Sequence, residues 1–154
     1  MILIDTREKP RAIEKITAYF DEVGVPYDRT KLYIGDYQEY TRPGIVVDRK
    51  QSIDELAANC VSDRARFKRE LERAAKVGAT IVVLVEQNRY KARTGPVTVR
   101  TIEDLILWHG RYTTIIGEEI FRILSGWIRK YPLRVEFCTK AETGRRILEI
   151  LGNE

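Results

Sequence analysis

The sequence predicts an α/β domain in which a central mixed sheet is flanked by helices. Three observations lead there. Short β-branched apolar runs alternate with stretches of helical periodicity along the chain. Arg42-Pro43-Gly44 is a turn signal between two neighbouring extended segments, which makes part of the sheet antiparallel. No internal repeat and no linker divides the 154 residues, so residues 1–154 are expected to form a single domain.

The elements follow in chain order. Ile2-Leu3-Ile4, ending in Asp5, reads as a short buried strand. Pro10 can open a helix, because its missing N–H is one that a first turn leaves unpaired anyway. Ile13, Ile16, Thr17 and Phe20 continue at helical spacing until Gly24. Residues 25–32 look extended, and residues 37–40 look like another strand before the turn. Ile45-Val46-Val47-Asp48-Arg49-Lys50 begins apolar and ends charged. Ser52 with Glu55 forms a capping box ahead of a helix carrying Ile53, Leu56 and Ala57. A second helix runs from about residue 63 to 77, with Phe67, Leu71, Ala74 and Ala75 on its buried face and Gly78 closing it. Ile81-Val82-Val83-Leu84-Val85 is the clearest buried strand. Thr101 and Asp104 resemble another capping box, opening a helix with Ile102, Leu105, Ile106 and His109 on one face. Residues 118–130 repeat the pattern until Pro132. Residues 133–138 form a last strand, and Thr139 with Glu142 caps a last helix that buries Ile147, Leu148 and Leu151. Trp108, Trp127 and His109 are expected in the core.

Composition narrows the chemistry. At 44% hydrophobic and 32% charged residues, the chain is that of a globular domain rather than a disordered one. No apolar run approaches the roughly 18 residues that span a membrane. The opening Met1-Ile2-Leu3-Ile4-Asp5 has no basic stretch before an apolar one. A signal peptide is therefore not expected and a cytoplasmic location is, at the nucleoid in a prokaryote or phage. The net charge of +4 is compatible with nucleic acid without demanding it. Cys60 and Cys138 form no Cys-x-x-Cys pair and are expected as buried free thiols. With His109 the only histidine, neither a usual zinc site nor a multi-histidine nuclease site can be assembled. A hydrolase on this chain would rely on carboxylates and a metal.

Strand alternation puts Asp48 and Lys50 on one face of their strand and Arg49 on the other. A carboxylate and an ammonium side by side at a strand end can hold a divalent metal and position a water. The metal acidifies that water and stabilises charge developing on a phosphate, and the lysine orients the nucleophile or neutralises the oxyanion. A hard cation needs a second carboxylate. Asp36, following Gly35 at the start of the neighbouring strand, is the candidate. The triplet by itself is weak, since about one acid-x-Lys is expected by chance in a chain this long. A surface Asp–Lys pair guarding an edge strand accounts for it equally well.

The order of these residues resembles the nuclease domain of the XPF family of structure-specific endonucleases. That family's signature is Gly-Asp, a variable gap, Glu-Arg-Lys, three residues and Asp. Here it reads Gly35-Asp36, Asp48-Arg49-Lys50, Gln51-Ser52-Ile53 and Asp54. The family also opens with an apolar strand into Asp-x-Arg-Glu, matched by Ile4-Asp5-Thr6-Arg7-Glu8, and the similarity runs along nearly the whole chain. The resemblance implies a restriction-endonuclease-like fold and Mg²⁺- or Mn²⁺-dependent hydrolysis of phosphodiester bonds in branched or structured DNA, in repair or recombination. It implies Asp36 and Asp48 as metal ligands, Asp5 as an accessory acid at the metal, and Lys50 serving the attacking water. Arg7 and Arg49 would hold the site or a phosphate, and Asp54 would complete the motif. It also implies a homodimer or a partner nuclease subunit.

Other readings stand beside these. Asp54 lies where the helix dipole favours any acid. Arg49 faces away from Asp48 and could pair with a helix acid, and Arg7 and Glu8 could be solvated loop charges. Two departures matter. Asp48 stands where the family usually has Glu, shorter by one methylene, which bears on metal geometry and preference. A single nuclease domain is expected, without the tandem helix-hairpin-helix module that often follows in the family. A catalytically silent DNA-binding or scaffold module of the same fold is the alternative.

Two segments could meet DNA. Arg66, Arg69, Arg73 and Lys76 share one helix face and could track phosphates, or simply form a solvated face with Glu70 and Glu72. The polar stretch 87–100 carries Arg89, Tyr90, Lys91, Arg93 and Arg100 with no acid, and its length suits a functional loop.

Overall fold

The computed structural model describes residues 1–87, 90–92, 95–110 and 115–152. Its elements are β1 (Ile2–Asp5), a 3₁₀ turn (Pro10–Ile13), α1 (Glu14–Glu22), β2 (Tyr27–Thr30), β3 (Tyr37–Glu39), β4 (Arg42–Lys50), α2 (Ile53–Cys60), α3 (Arg64–Val77) and β5 (Thr80–Glu86). There follow β6 (Tyr90–Ala92), β7 (Gly95–Val97), a second 3₁₀ segment (Ile102–Leu107), α4 (Gly117–Lys130), β8 (Leu133–Cys138) and α5 (Thr143–Leu151). The main sheet has the order β2-β1-β3-β4-β5-β8. β3 runs antiparallel to β1 and β4, whereas β1–β2, β4–β5 and β5–β8 are parallel, so the sheet is mixed as expected.

Helices cover both faces. On one side α2, α3, α4 and the second 3₁₀ segment pack on Val46, Ile81, Val83 and Val85. On the other, α1 and α5 pack on Ile2, Ile4, Val47, Val82 and Leu84. The uninterrupted run of β5 follows from that: Ile81 through Val85 alternate between two cores and all are fully buried. Cys60 and Cys138 are buried free thiols, with burial pushing Cys60 up to about 12 and Cys138 to about 11. No helix of the described residues is long and apolar enough to cross a membrane.

Three expectations are corrected. The β3–β4 hairpin turns at Tyr40-Thr41 rather than at Arg42-Pro43-Gly44, because Glu39 pairs with Arg42 and the register shifts at Gln38/Glu39. The Glu39 carboxylate accepts the Thr41 N–H and hydroxyl and closes that turn. Residues 43–45 are extra length on β4, where the missing N–H of Pro43 costs no ladder bond. Second, the Thr101–Asp104 capping box opens a 3₁₀ segment, not an α-helix through His109. With three residues per turn, Ile102, Leu105 and Trp108 line up toward the core, while Ile106 and His109 are exposed. Third, the buried stripe of α3 is Phe67, Leu71 and Ala74, and Ala75 falls outside it.

Candidate active site

The carboxyl ends of β1, β4 and β5 and the start of the oppositely running β3 meet at one rim of the sheet, where open α/β sheets place their ligands. Gly35 makes the approach possible. Its φ is +70°, and a Cβ there would lie 3.1 Å from both Val46 Cγ2 and the Val47 carbonyl oxygen. Asp36 is then fixed from four directions. Its N–H donates to the Val47 carbonyl at 2.8 Å, and its own carbonyl accepts the Asp5 N–H at 2.8 Å. Its Oδ2 accepts the Arg49 N–H at 2.8 Å, and the preceding Gly35 N–H donates to Glu70 Oε1 on α3 at 3.0 Å.

Asp36, Asp48 and Lys50 share a cleft of about 420 Å³ with Glu70, Arg7 and Arg73. Lys50 Nζ lies 3.0 Å from Asp48 Oδ2 and donates to Oδ1 at 3.2 Å. Oδ2 is buried and accepts no well-aligned hydrogen bond. The ammonium also sits 5.8 Å from the Phe67 ring centroid, which holds its stem in place. Burial, reinforced by the Asp48 and then the Glu8 charge, pushes Asp36 well above the ordinary carboxylate range, against the Arg49 N–H. Burial and Asp48 likewise raise Glu70, opposed by the Gly35 N–H and by Lys50 and Arg73. Burial works against the charge of Lys50, but Asp48, Asp36 and Glu70 more than offset it and hold the ammonium above its usual range. In this arrangement Lys50 is a hydrogen-bond donor to Asp48.

The opposite face of β4 is built differently. Arg49 is buried, and its Nε and Nη2 donate to the two Glu8 oxygens at 2.7 and 2.9 Å while Nη1 donates to Glu86 Oε1 at 2.7 Å. Every arm of that guanidinium facing a carboxylate is satisfied.

The resemblance implies a divalent cation, and Asp36 and Asp48 are the residues of this cleft that could hold one. Among the described residues no group of three or more His, Cys, Asp or Glu stands ready as a cage. Mg²⁺, however, usually takes only one or two carboxylates and completes its shell with waters and phosphate oxygens. Asp36 and Asp48, two buried like charges that repel each other, with one oxygen lacking a hydrogen bond, are the arrangement a cation would relieve.

The family model described as the ERCC4 domain matches residues 4–143. This chain belongs to the ERCC4 domain family. Among solved structures it is similar to XPF from Aeropyrum pernix, at 19% identity and a TM-score of 0.65, over 98% of this chain and 59% of that one. It is similar also to XPF from Aeropyrum pernix in complex with DNA, at 20% identity and a TM-score of 0.66, over 98% of this chain and 62% of that one. The chain thus spans about three fifths of those structures, and the shared fold is the restriction-endonuclease-like one. No curated protein sequence matches it.

Within this ERCC4 domain the fold unites Asp36, Asp48 and Lys50, and Arg7 reaches the cleft margin, its Nη2 at 3.5 Å from the Gly35 carbonyl. Asp5 goes elsewhere. It is fully buried, accepts the Leu32 N–H on Oδ1 at 2.8 Å, and accepts the N–H and Nε of Arg7 on Oδ2 at 3.0 and 2.5 Å. Burial works against its ionisation, yet these bonds hold it below its ordinary range. It anchors Arg7 and the 30–36 loop, and it is not among the residues that line the cleft. Arg49 pairs with Glu8 of the loop after β1 and Glu86 of β5, not with a helix acid, and Glu8 is buried rather than solvated. Asp54 sits in the first turn of α2, where Ser52 caps the helix by accepting the Glu55 N–H, and it does not line the cleft. Arg66 and Arg73 line the cleft, and Arg69 continues outward from them. Lys91 lies in β6, while Arg89 and Arg93 lie outside the described residues. The 87–100 stretch contains the β6–β7 hairpin, clamped at its base where the Gln87 amide exchanges two hydrogen bonds with the Val99 backbone.

Glu70, Asn59 and Phe67 also line the cleft, although the sequence assigned Phe67 to the core and Glu70 to a solvated face and did not single out Asn59. Glu70 did carry a signal. It falls three residues after Phe67 and four before Ala74, on the inward stripe of α3, where an unpaired acid is out of place.

Proposed function

We propose that this chain is a Mg²⁺- or Mn²⁺-dependent DNA endonuclease that hydrolyses phosphodiester bonds in branched or structured DNA during repair or recombination. The observation that carries the reading is the Asp36–Asp48 pair beside Lys50, in a cleft that opens onto the arginines of α3. The similarity to XPF from Aeropyrum pernix, one structure of which is a complex with DNA, supports the substrate class. A second subunit, either a copy of this chain or a partner nuclease chain, belongs to the same reading.

Asp36 and Asp48 would hold the cation, and when bound it would supply a water of lowered pKa and positive charge opposite the phosphate. Lys50 donates toward the attacking oxygen or a non-bridging phosphate oxygen. Asp48 keeps it charged for that task. Arg7 and Arg73, at the cleft margin, are placed to grip a phosphate oxygen. Arg49 and Asp5 act at one remove, as positioning residues: the first by its backbone N–H on Asp36, the second by orienting Arg7.

The test is cleavage of labelled single-stranded, duplex, flap, splayed-arm and four-way DNA in Mg²⁺, Mn²⁺ or EDTA, with Asp36→Ala and Lys50→Ala alongside. Metal-dependent cutting that both variants lose is expected. Tight binding without cutting under every metal condition would instead make this a catalytically silent DNA-binding module of the same fold.

A further inference from the structure

Beyond the cleft, the outer face of α3 continues as an open groove of about 520 Å³. Arg66 and Arg73 line both spaces, so the two are one continuous surface. Arg69 and Lys76 extend it outward, with Glu72 the one acid among its lining residues. Arg66 holds a loose surface ion pair with Asp63 at 3.4 Å, weak enough for a phosphate to displace. Tyr33 forms the other wall.

Tyr33 is unusual for a tyrosine so near a buried site. It is 62% exposed, and one side of its ring is backed by the Arg73 guanidinium, 5.6 Å from the ring centroid. It stands three residues before Asp36, and the Gly35–Glu70 hydrogen bond ties its loop to α3. The ring is thus held at a set place relative to the carboxylates. Its bulk also borders an apolar hollow with Ile34, Pro43 and Val77.

The excess of guanidinium and ammonium groups selects a polyanion. The free aromatic face selects more narrowly. Bases inside a duplex are stacked on one another and offer no ring face to a side chain, whereas an unpaired base does. We propose that Tyr33, backed by Arg73, is a stacking site for one unpaired base of the DNA strand whose phosphate enters the cleft. This rests on the nuclease reading above and adds to it the residue that gives preference for an unpaired strand next to the cut.

The experiment measures dissociation constants for a labelled oligo-dT strand and for a duplex of equal length, by fluorescence anisotropy in EDTA, for the wild-type chain, Tyr33→Phe and Tyr33→Leu. Leucine keeps apolar cover over the hollow but has no ring to stack on. Tyr33→Leu is expected to weaken single-strand binding roughly 5- to 100-fold, with a much smaller change on duplex, and Tyr33→Phe to restore it. Thermal melting of both variants separates a folding defect from a binding one. Equal single-strand binding by wild type and a folded Tyr33→Leu overturns the stacking site while leaving the nuclease reading intact. Parallel losses on both DNA forms overturn it too, since they assign Tyr33 to shaping the groove. Wild-type protein that binds neither DNA overturns the nuclease reading itself, and the stacking site with it.

Discussion

Two charged clusters sit on opposite faces of one strand, one residue apart. Arg49, on the α1/α5 side of β4, is buried between Glu8 and Glu86 with its donors matched by carboxylate oxygens. Asp48 and Lys50, on the α2/α3 side, open into the cleft with Asp36 and Glu70, where acids outnumber the lysine and an Asp48 oxygen accepts no hydrogen bond. In the first cluster each carboxylate meets the guanidinium, although Glu8 and Arg49 also border the cleft. The second sets two buried like charges side by side, the arrangement that an added cation would relieve. Burial and charge are alike in both. What separates architecture from chemistry here is whether the polar groups are satisfied by the protein alone.

Substitutions can break that contrast. The largest effect is expected on the open side: Asp48→Asn and Lys50→Ala should each slow DNA cleavage about 10³-fold, read under single-turnover conditions. Thermal melting should barely register Asp48→Asn, which removes a like charge beside Asp36, and a large Tm loss there would make the two clusters alike. On the Arg49 side the effect is on folding. Arg49→Met should cost about 3–5 kcal/mol in urea unfolding by leaving Glu8 and Glu86 buried without a cation, and adding Glu8→Gln and Glu86→Gln should recover much of it. No recovery would mean that the guanidinium acts through packing rather than charge.

Asp36 offers a change of opposite sign. Its folded carboxyl is raised well above the ordinary range, so ionising it at neutral pH costs the folded state. The folded form binds more protons than the unfolded one once pH exceeds the unfolded value near 4, and stability falls as pH rises through that window. Asp36→Asn should therefore raise Tm at pH 7, with the gain vanishing below about pH 4, while abolishing cleavage. A Tm gain that persists at low pH would place its cause outside the carboxylate. The smallest effect is expected at Asp54. Asp54→Asn should lose the dipole contribution of an acid in the first turn of α2, about 0.3–1 kcal/mol, partly offset because its buried Oδ1 accepts no hydrogen bond, and keep its cleavage rate. A loss matching that of Asp48→Asn would bring α2 into the chemistry.

Much of this was legible before folding. The alternation along Asp48-Arg49-Lys50 assigned the faces of β4, the run from Ile81 to Val85 marked the clearest buried strand, and Asp36 after Gly35 was set at the start of the neighbouring strand. Each is encoded within a few residues, because strand pleat, helix pitch and the φ > 0 region are local properties of the backbone. Tertiary structure decided the partners. Glu8 and Glu86 reach Arg49 from 41 and 37 residues away, Asp5 turns inward to the Leu32 N–H, and Glu70 of α3 bonds the Gly35 N–H from 35 residues away. Periodicity states which face a side chain takes. Which charges meet on that face depends on how β1, β4, β5 and α3 close together, and no local pattern carries that.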